Sequence, residues 1–294
     1  MKVFLTGSTG FVGKEILRLL QREGYIVVAL VRDIDKAEEM ENVIYVKGDI
    51  LKPESYEDYL KECNAVIHLV GIIREDRKKR VTFDKLHYEA TKNIVDLAYK
   101  YSIKRFIHMS ANGTREDAVS DYHKTKFMAE EYLKIKGLNY TIFRPSVIYG
   151  PGDIFINMLN GLMKMTPLFS YFGDGGYKMQ PVSVYEVAEL FVNALKEDAS
   201  IGKTYSVCGK DIYTYKEILK MINRVTGRKV LLFPIPEFII RIMVKLFGKT
   251  TWFPITTDQF IMLTEGNICD DDACFKELNV KKRDMSEVLS TYLK

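Results

Sequence analysis

The feature that most constrains this chain is the string Thr6-Gly7-Ser8-Thr9-Gly10-Phe11-Val12-Gly13, directly behind the apolar run 3–5 and ahead of an amphipathic stretch, 13–22. A strand that breaks into glycines and re-emerges as a helix is a turn built for close backbone approach. Gly7 permits the tight turn, Gly10 lets the main chain come up against a pyrophosphate, and Gly13 lets the helix pack against the strand. The helix start adds unpaired N–H groups and the positive end of its dipole. Gly7, Ser8, Thr9, Gly10, Phe11, Val12 and Gly13 are therefore expected to cradle a dinucleotide, the glycines standing in their strand–turn–helix context from the seventh residue on.

The rest of the first half repeats the same unit. Short runs rich in β-branched and aromatic residues (3–5, 25–31, 43–46, 65–70, 105–109 and 140–143) alternate with helical patterns at 13–22, 84–101 and 122–136. Runs this short and this apolar suit strands covered on both faces. Repeated β-α units imply an α/β fold, a doubly wound parallel sheet with right-handed crossovers. Gly24 follows the first helix as a left-handed cap would. Beyond Arg144-Pro145 the pattern loosens around Gly150-Pro151-Gly152 and Gly173-Asp174-Gly175-Gly176. The division expected is a nucleotide-binding domain over 1–150 with a return helix near 183–196. A small C-terminal α/β substrate lobe would take about 151–182 and 197–294.

The second strand decides the cofactor. A site for NAD places an acid at its end to accept from the ribose 2′-hydroxyl. Here the run ends in Arg32, with Asp33 one step later. A guanidinium forks onto a 2′-phosphate, so NADP is preferred to NAD, unless Arg32 merely pairs with Asp33 or Asp35. Gly48-Asp49-Ile50, after the third strand, is placed to flank the adenine, or is a simple turn.

Tyr-x-x-x-Lys sets a phenol and an ammonium one helical turn apart, where the cation favours the phenolate and makes the tyrosine a usable acid/base. The pattern occurs at Tyr88/Lys92, Tyr122/Lys126 and Tyr132/Lys136. Only Tyr122 opens a helix just after a strand whose carboxyl end carries a serine, Ser110, and ligands of open α/β sheets bind at such ends. Ser110 would polarise a carbonyl, Tyr122 would donate the proton, and Lys126 would tune it and hold the nicotinamide ribose.

Together with the glycine string, Ser110 and Tyr122/Lys126, the run Arg144-Pro145-Ser146-Val147-Ile148-Tyr149-Gly150-Pro151-Gly152-Asp153 resembles the extended and atypical short-chain dehydrogenase/reductases. His108-Met109-Ser110-Ala111-Asn112-Gly113 and Gln180-Pro181-Val182-Ser183-Val184 are similar to the branch of the NAD(P)H-binding accessory subunit of respiratory complex I. The resemblance runs over most of 1–230. It implies a Rossmann core with strand order 3-2-1-4-5-6, a small substrate lobe, and reduction, epimerisation or dehydration at a bound nicotinamide. It also extends the cofactor contacts to Leu69, Val70, Gly71, Pro145 and Val147. Two positions depart from the family pattern. His87 stands where many members place the asparagine of a proton relay, and Gln180-Pro181-Val182-Ser183 replaces the Arg-Asp-Phe/Tyr-Val-like string of nucleotide-sugar epimerases.

Composition bounds the alternatives. With 47% hydrophobic and 28% charged residues the chain is globular, and a net charge of +4 is too small for a nucleic-acid surface. The basic run Arg77-Lys78-Lys79-Arg80 reads as a solvated segment. Cys63, Cys208, Cys269 and Cys274 form no C-x-x-C pair, so no metal site is expected, and free thiols in a reducing cytoplasm are the simplest reading. Neither a secretory leader nor an 18-residue apolar run is visible. Residues 237–249 place every charge (Glu237, Arg241, Lys245, Lys249) four apart and leave a broad apolar arc, with Trp252 and Phe253 behind it. That segment, 237–253, is expected either to lie half-buried in the lobe, to dock on a protein partner, or to rest peripherally on the inner face of a membrane. Three functions follow. The first is an NAD(P)-dependent oxidoreductase of a carbonyl or quinone-like small molecule. The second is a non-catalytic NADP(H)-binding structural or assembly protein of a respiratory complex, and the third a nucleotide-sugar epimerase/dehydratase.

Overall fold

The computed structural model describes residues 1–248, 250, 253 and 255–294. The first elements are β1 (Lys2–Thr6), α1 (Phe11–Arg22), β2 (Ile26–Val31), β3 (Val43–Lys47), α2 (Glu57–Leu60) and β4 (Ala65–His68). There follow α3 (Ala90–Lys100), β5 (Arg105–Met109), α4 (Asp121–Ile135), β6 (Tyr140–Pro145), β7 (Ile148–Tyr149) and α5 (Phe155–Lys164). Next come β8 (Leu168–Phe172), β9 (Lys178–Met179), β10 (Val182–Ser183), α6 (Val184–Ala194), β11 (Lys203–Val207) and β12 (Tyr213–Thr214). The chain closes with α7 (Tyr215–Thr226), β13 (Leu231–Ile235), α8 (Glu237–Phe247), α9 (Thr257–Glu265), α10 (Ala273–Glu277) and α11 (Met285–Ser290).

Two compact units result. The first comprises Met1–Pro145, Tyr185–Val207 and Asp271–Lys281, and the second Ser146–Val184, Cys208–Asp270 and Lys282–Lys294. The first unit holds a parallel sheet of order β11-β6-β5-β4-β1-β2-β3. It is the doubly wound Rossmann order 3-2-1-4-5-6 with a seventh strand. Residues 203–207, expected in the smaller lobe, pair in register with β6 (Lys203↔Thr141 to Val207↔Pro145). A five-residue strand carries no local signal of which sheet receives it; that is settled by the free edge of β6. The first unit accordingly ends at Pro145, takes β11 as well as α6, and recovers 271–281 from the C-terminal part.

The sheet buries Phe4, Val28, Leu30, Val66, Phe106 and Ile142 on the face covered by Ile94, Val95 and Ala98 of α3 and Leu133 of α4. Gly24 takes φ +75° after α1, as its cap position requires. The helical stretch expected at 84–101 begins with a π-helical turn, Asp84–Glu89, before becoming α3. Such turns shift the register of a helix face locally and often mark functional positions; this one carries His87.

The second unit is built from three two-stranded pairings (β10-β7, β12-β9, β13-β8) and the helices between them. Cys208 and Cys269 are joined in a disulfide across a sequence separation of 61, which corrects the expectation of four thiols; Cys63 and Cys274 are buried and belong to no disulfide. No spacing motif announces a pair so far apart, and only the fold brings their Cα atoms to 5.8 Å. Gln180 knits the same region. Its backbone N–H donates to Asn267 O, its Nε2 donates to Gly209 O, and its Oε1 accepts from Cys269 N. Helix α8 packs inward only through Val244 and the partly buried Ile240, and leaves most of its apolar arc exposed. Lys249 and Trp252 lie outside the described residues. Among the described residues no helix is long and apolar enough to cross a membrane, and no cluster of His, Cys, Asp and Glu is arranged to hold a metal.

Candidate active site

The glycine loop closes against the first turn of α1. Gly7 adopts φ +75°, and a Cβ there would approach Leu69 Cβ to 3.3 Å. A Cβ on Gly13 would stand 2.0 Å from Gly7 O and 2.9 Å from Ser8 Cα, so only glycine admits this packing. The N-cap of α1 is Gly10, which offers no capping side chain, and no acid occupies the first turn. Its leading N–H groups therefore remain available to an anion. Ser8 is 1% exposed and its Oγ has no hydrogen-bond partner in the described structure. An uncapped helix start, an orphaned buried hydroxyl and a cradle closed to any Cβ fit a dinucleotide's phosphates. Phe11 and Val12 belong to that first turn.

Arg32 follows the end of β2 and is exposed. Its guanidinium makes no ion pair among the described residues, while Asp33 turns its carboxylate back to accept from Asp35 N at 3.3 Å. Gly48 N donates to Val31 O at 2.9 Å, and a Cβ on Gly48 would come within 2.9 Å of Leu30 Cδ1. Asp49 caps its own turn by accepting from Leu51 N, and Ile50 is buried in the core. This segment behaves as a tight turn beside Arg32.

At the carboxyl ends of β4 and β5 the other candidates converge. Leu69 N donates to Thr6 Oγ1, tying β4 to β1 just ahead of the glycine loop. A Cβ on Gly71 would lie 3.0 Å from Lys126 Nζ and 3.5 Å from His87 Cδ2. Lys126, 2% exposed, donates to the carbonyl of Met109, the residue preceding Ser110, at 3.0 Å. Ser110 is itself buried, with its Oγ donating to Thr114 Oγ1 at 3.3 Å. Val70 follows Leu69 and is partly buried. Pro145 ends β6, its carbonyl accepting from Asn112 N, whereas Val147 belongs to the second unit.

Tyr122 sits in the first turn of α4, which Ser120 caps by accepting from His123 N. Its ring meets His87 and Phe83 edge-on, with centroids 5.1 and 5.7 Å away. Burial raises its phenol to about 12 and lowers the Lys126 ammonium to about 8, the latter against the pull of Glu130. Desolvation thus outweighs the tuning by Lys126 expected from sequence, and the phenol stays protonated at neutral pH.

The histidines are what sequence reasoning passed over. All four in the chain are buried: His68, His87, His108 and His123. Thr91 Oγ1 donates to the His87 carbonyl, so it accepts from His68 Nε2 at 3.1 Å, leaving His68 Nδ1 to accept from Thr6 Oγ1 at 2.8 Å. His87, noted only as a departure from the family pattern, bridges Thr125 Oγ1 through Nδ1 (2.9 Å) and the Ile72 backbone through Nε2. Thr125 in turn donates to Asp121 O or Tyr122 O, so His87 steadies the turn that carries Tyr122. His108 stacks on His68, and neither of its nitrogens has a hydrogen-bond partner among the described residues. The legible signal was positional: His68 ends β4, and His108 stands one residue before the end of β5 and two before the candidate serine.

A family model described as "NAD dependent epimerase/dehydratase family" matches residues 3–208. The chain belongs to this family. Among its relatives, subunit 9 of the NADH dehydrogenase [ubiquinone] 1 alpha subcomplex, mitochondrial, from Dictyostelium discoideum is 30% identical over 223 residues. That match takes in 74% of this chain and 61% of the relative. The chain is also similar to the photosystem II assembly factor Ycf39 of Guillardia theta, 27% identical over 99% of this chain and 88% of that protein. The first of these is the kind of relative expected from the complex I-like motifs. In fold the chain is similar to the UDP-glucose 4-epimerase of Thermotoga maritima, with a TM-score of 0.79 and 19% identity over 100% of this chain and 97% of the other.

Proposed function

We propose that this protein is an NADP-dependent oxidoreductase of the short-chain dehydrogenase/reductase type that reduces a carbonyl or quinone-like small molecule. The observation that carries the reading is the position of Lys126. Its ammonium is buried against Gly71 and bonded to the peptide carbonyl that leads into Ser110, one helical turn from Tyr122. When bound, the dinucleotide supplies the hydride. Gly7 to Gly13 hold its phosphates, and Arg32, with no ion pair among the described residues, takes the 2′-phosphate, which favours NADP over NAD. Ser110 orients and polarises the substrate oxygen. Tyr122, kept protonated by burial, gives that oxygen its proton, and Lys126 compensates the charge left on the phenolate. His87 and Thr125 hold the turn that aims Tyr122.

The test is oxidation of NADPH against a panel of carbonyls and quinones, repeated with Tyr122→Phe. Loss of one general acid is expected to lower turnover by roughly 10²–10⁴-fold, with NADPH affinity retained. Unchanged turnover in Tyr122→Phe would overturn the assignment.

A second reading is favoured by what the relatives are called: a subunit of NADH dehydrogenase and an assembly factor. Under it, the bound dinucleotide stabilises a structural or assembly protein that meets its partner through 237–253. NADPH that raises the melting temperature while no substrate is turned over supports this reading. Nucleotide sugars that raise it instead point to an epimerase or dehydratase.

A further inference from the structure

Helix α8 turns its apolar side outward. Phe238, Ile242 and Leu246, one per turn, are 63%, 54% and 65% exposed. Ile239, Met243 and Phe247 beside them are also exposed. At 3.6 residues per turn these six side chains sweep about 180° of the helix with no polar residue among them. The opposite side packs inward, with Val244 and the partly buried Ile240 against Phe253 and Phe260. Arg241 and Lys245 border the outward arc along one edge, and both are exposed. The one acid of the helix, Glu237, is held on the inward side by Tyr177 Oη and by Arg241. Arg241 is thus paired with Glu237, and Lys245 leaves this edge with a net positive charge among the described residues.

We propose that α8 seats the protein on an anionic lipid bilayer, lying in the plane of the interface. Phe238, Ile242 and Leu246 enter the acyl region, with Arg241 and Lys245 at the level of the phosphates. Charge complementarity selects this occupant. An exposed lysine and a net positive edge beside a smooth apolar arc match a surface whose charge lies in a layer above hydrocarbon. The helix has 11 residues, about 16 Å at 1.5 Å per residue, half of what a bilayer core requires, so it lies along the membrane and does not cross it. The inference uses nothing of the dinucleotide site and stands or falls apart from the catalytic reading.

The experiment is co-sedimentation of the full chain with vesicles of phosphatidylcholine alone or of phosphatidylcholine mixed with phosphatidylglycerol. Binding to the mixed vesicles is expected to be about fivefold tighter. Lys245→Gln should narrow that preference. The triple variant Phe238→Ser, Ile242→Ser, Leu246→Ser should lose binding to both while keeping its melting temperature, because these side chains are exposed. Failure of the parent protein to bind mixed vesicles overturns the proposal, as does undiminished binding by the triple variant. A dimer in lipid-free sedimentation equilibrium that the triple variant abolishes would also overturn it and assign the face to a second copy.

Discussion

His68 and His108 stack at the carboxyl ends of β4 and β5, their ring centroids 5.4 Å apart and their planes 15° from parallel. Burial holds His68 down at about 3 and His87 at about 2, and depresses His108 well below the ordinary imidazole value. In the unfolded chain all three titrate near 6.5. The folded state therefore binds fewer protons below that pH, and stability is lost as pH falls from 6.5 toward the folded values. By about pH 5.5 each histidine withdraws roughly 1.4 kcal/mol, about 4 kcal/mol for the three. Denaturant midpoints measured down through this range check the slope. His108→Leu, which removes an imidazole with two unsatisfied nitrogens, should flatten the acid slope by about a third and stabilise by about 1 kcal/mol at neutral pH.

Gly13→Ala sets a methyl group 2.0 Å from Gly7 O. Backbone surrounds it, so relief requires moving α1 away from the loop, at a cost of about 3 kcal/mol. The urea midpoint should fall accordingly, and NADPH titration by intrinsic fluorescence should show no saturable binding.

Arg32→Ala removes the cation placed for a 2′-phosphate. Charge-assisted hydrogen bonds contribute about 1.5–3 kcal/mol, so NADPH affinity should drop roughly 10- to 100-fold while NADH affinity stays level. Calorimetric titration of both cofactors reads the ratio. Equal losses for the two would assign Arg32 to the surface.

The Cys208–Cys269 bond closes a loop spanning 61 positions that contains β12, α7, β13, α8 and α9. Chain-entropy arguments assign such a cross-link about 4 kcal/mol. Thiol titration in denaturant should count two groups before reduction and four after. Cys208→Ser should lower the denaturant midpoint of the second unit without abolishing dinucleotide binding, since the glycine loop belongs to the first.

What sequence made legible was local. The strand, three glycines and helix of the cofactor cradle lie within the first 22 residues, and each does its work on neighbours a few positions away. In sequence Tyr122 and Lys126 stand apart from two identical patterns only because Tyr122 opens a helix after a strand with Ser110 at its carboxyl end. Harder to read were features made by pairing across the chain. β11 is a plain five-residue strand whose partner, β6, lies some sixty positions earlier. The histidine layer arises because β4, β5 and α3 present His68, His108 and Thr91 to one buried space. Sequence periodicity also showed that α8 is amphipathic without showing whether a core covers its apolar side, because periodicity reports the helix and not its surroundings.

By itself, then, the sequence determined that a strand, a glycine turn and a helix stand together over residues 2–22 and that a parallel sheet follows. Glycine, β-branched and capping preferences act through the backbone of the residues that carry them. Tertiary structure alone decided the seventh strand, the disulfide, the protonation state of the site and the exposure of α8. Each depends on which distant groups exclude water from a given side chain. Desolvation, which holds the Tyr122 phenol and the Lys126 ammonium where they are, has no counterpart in residue spacing.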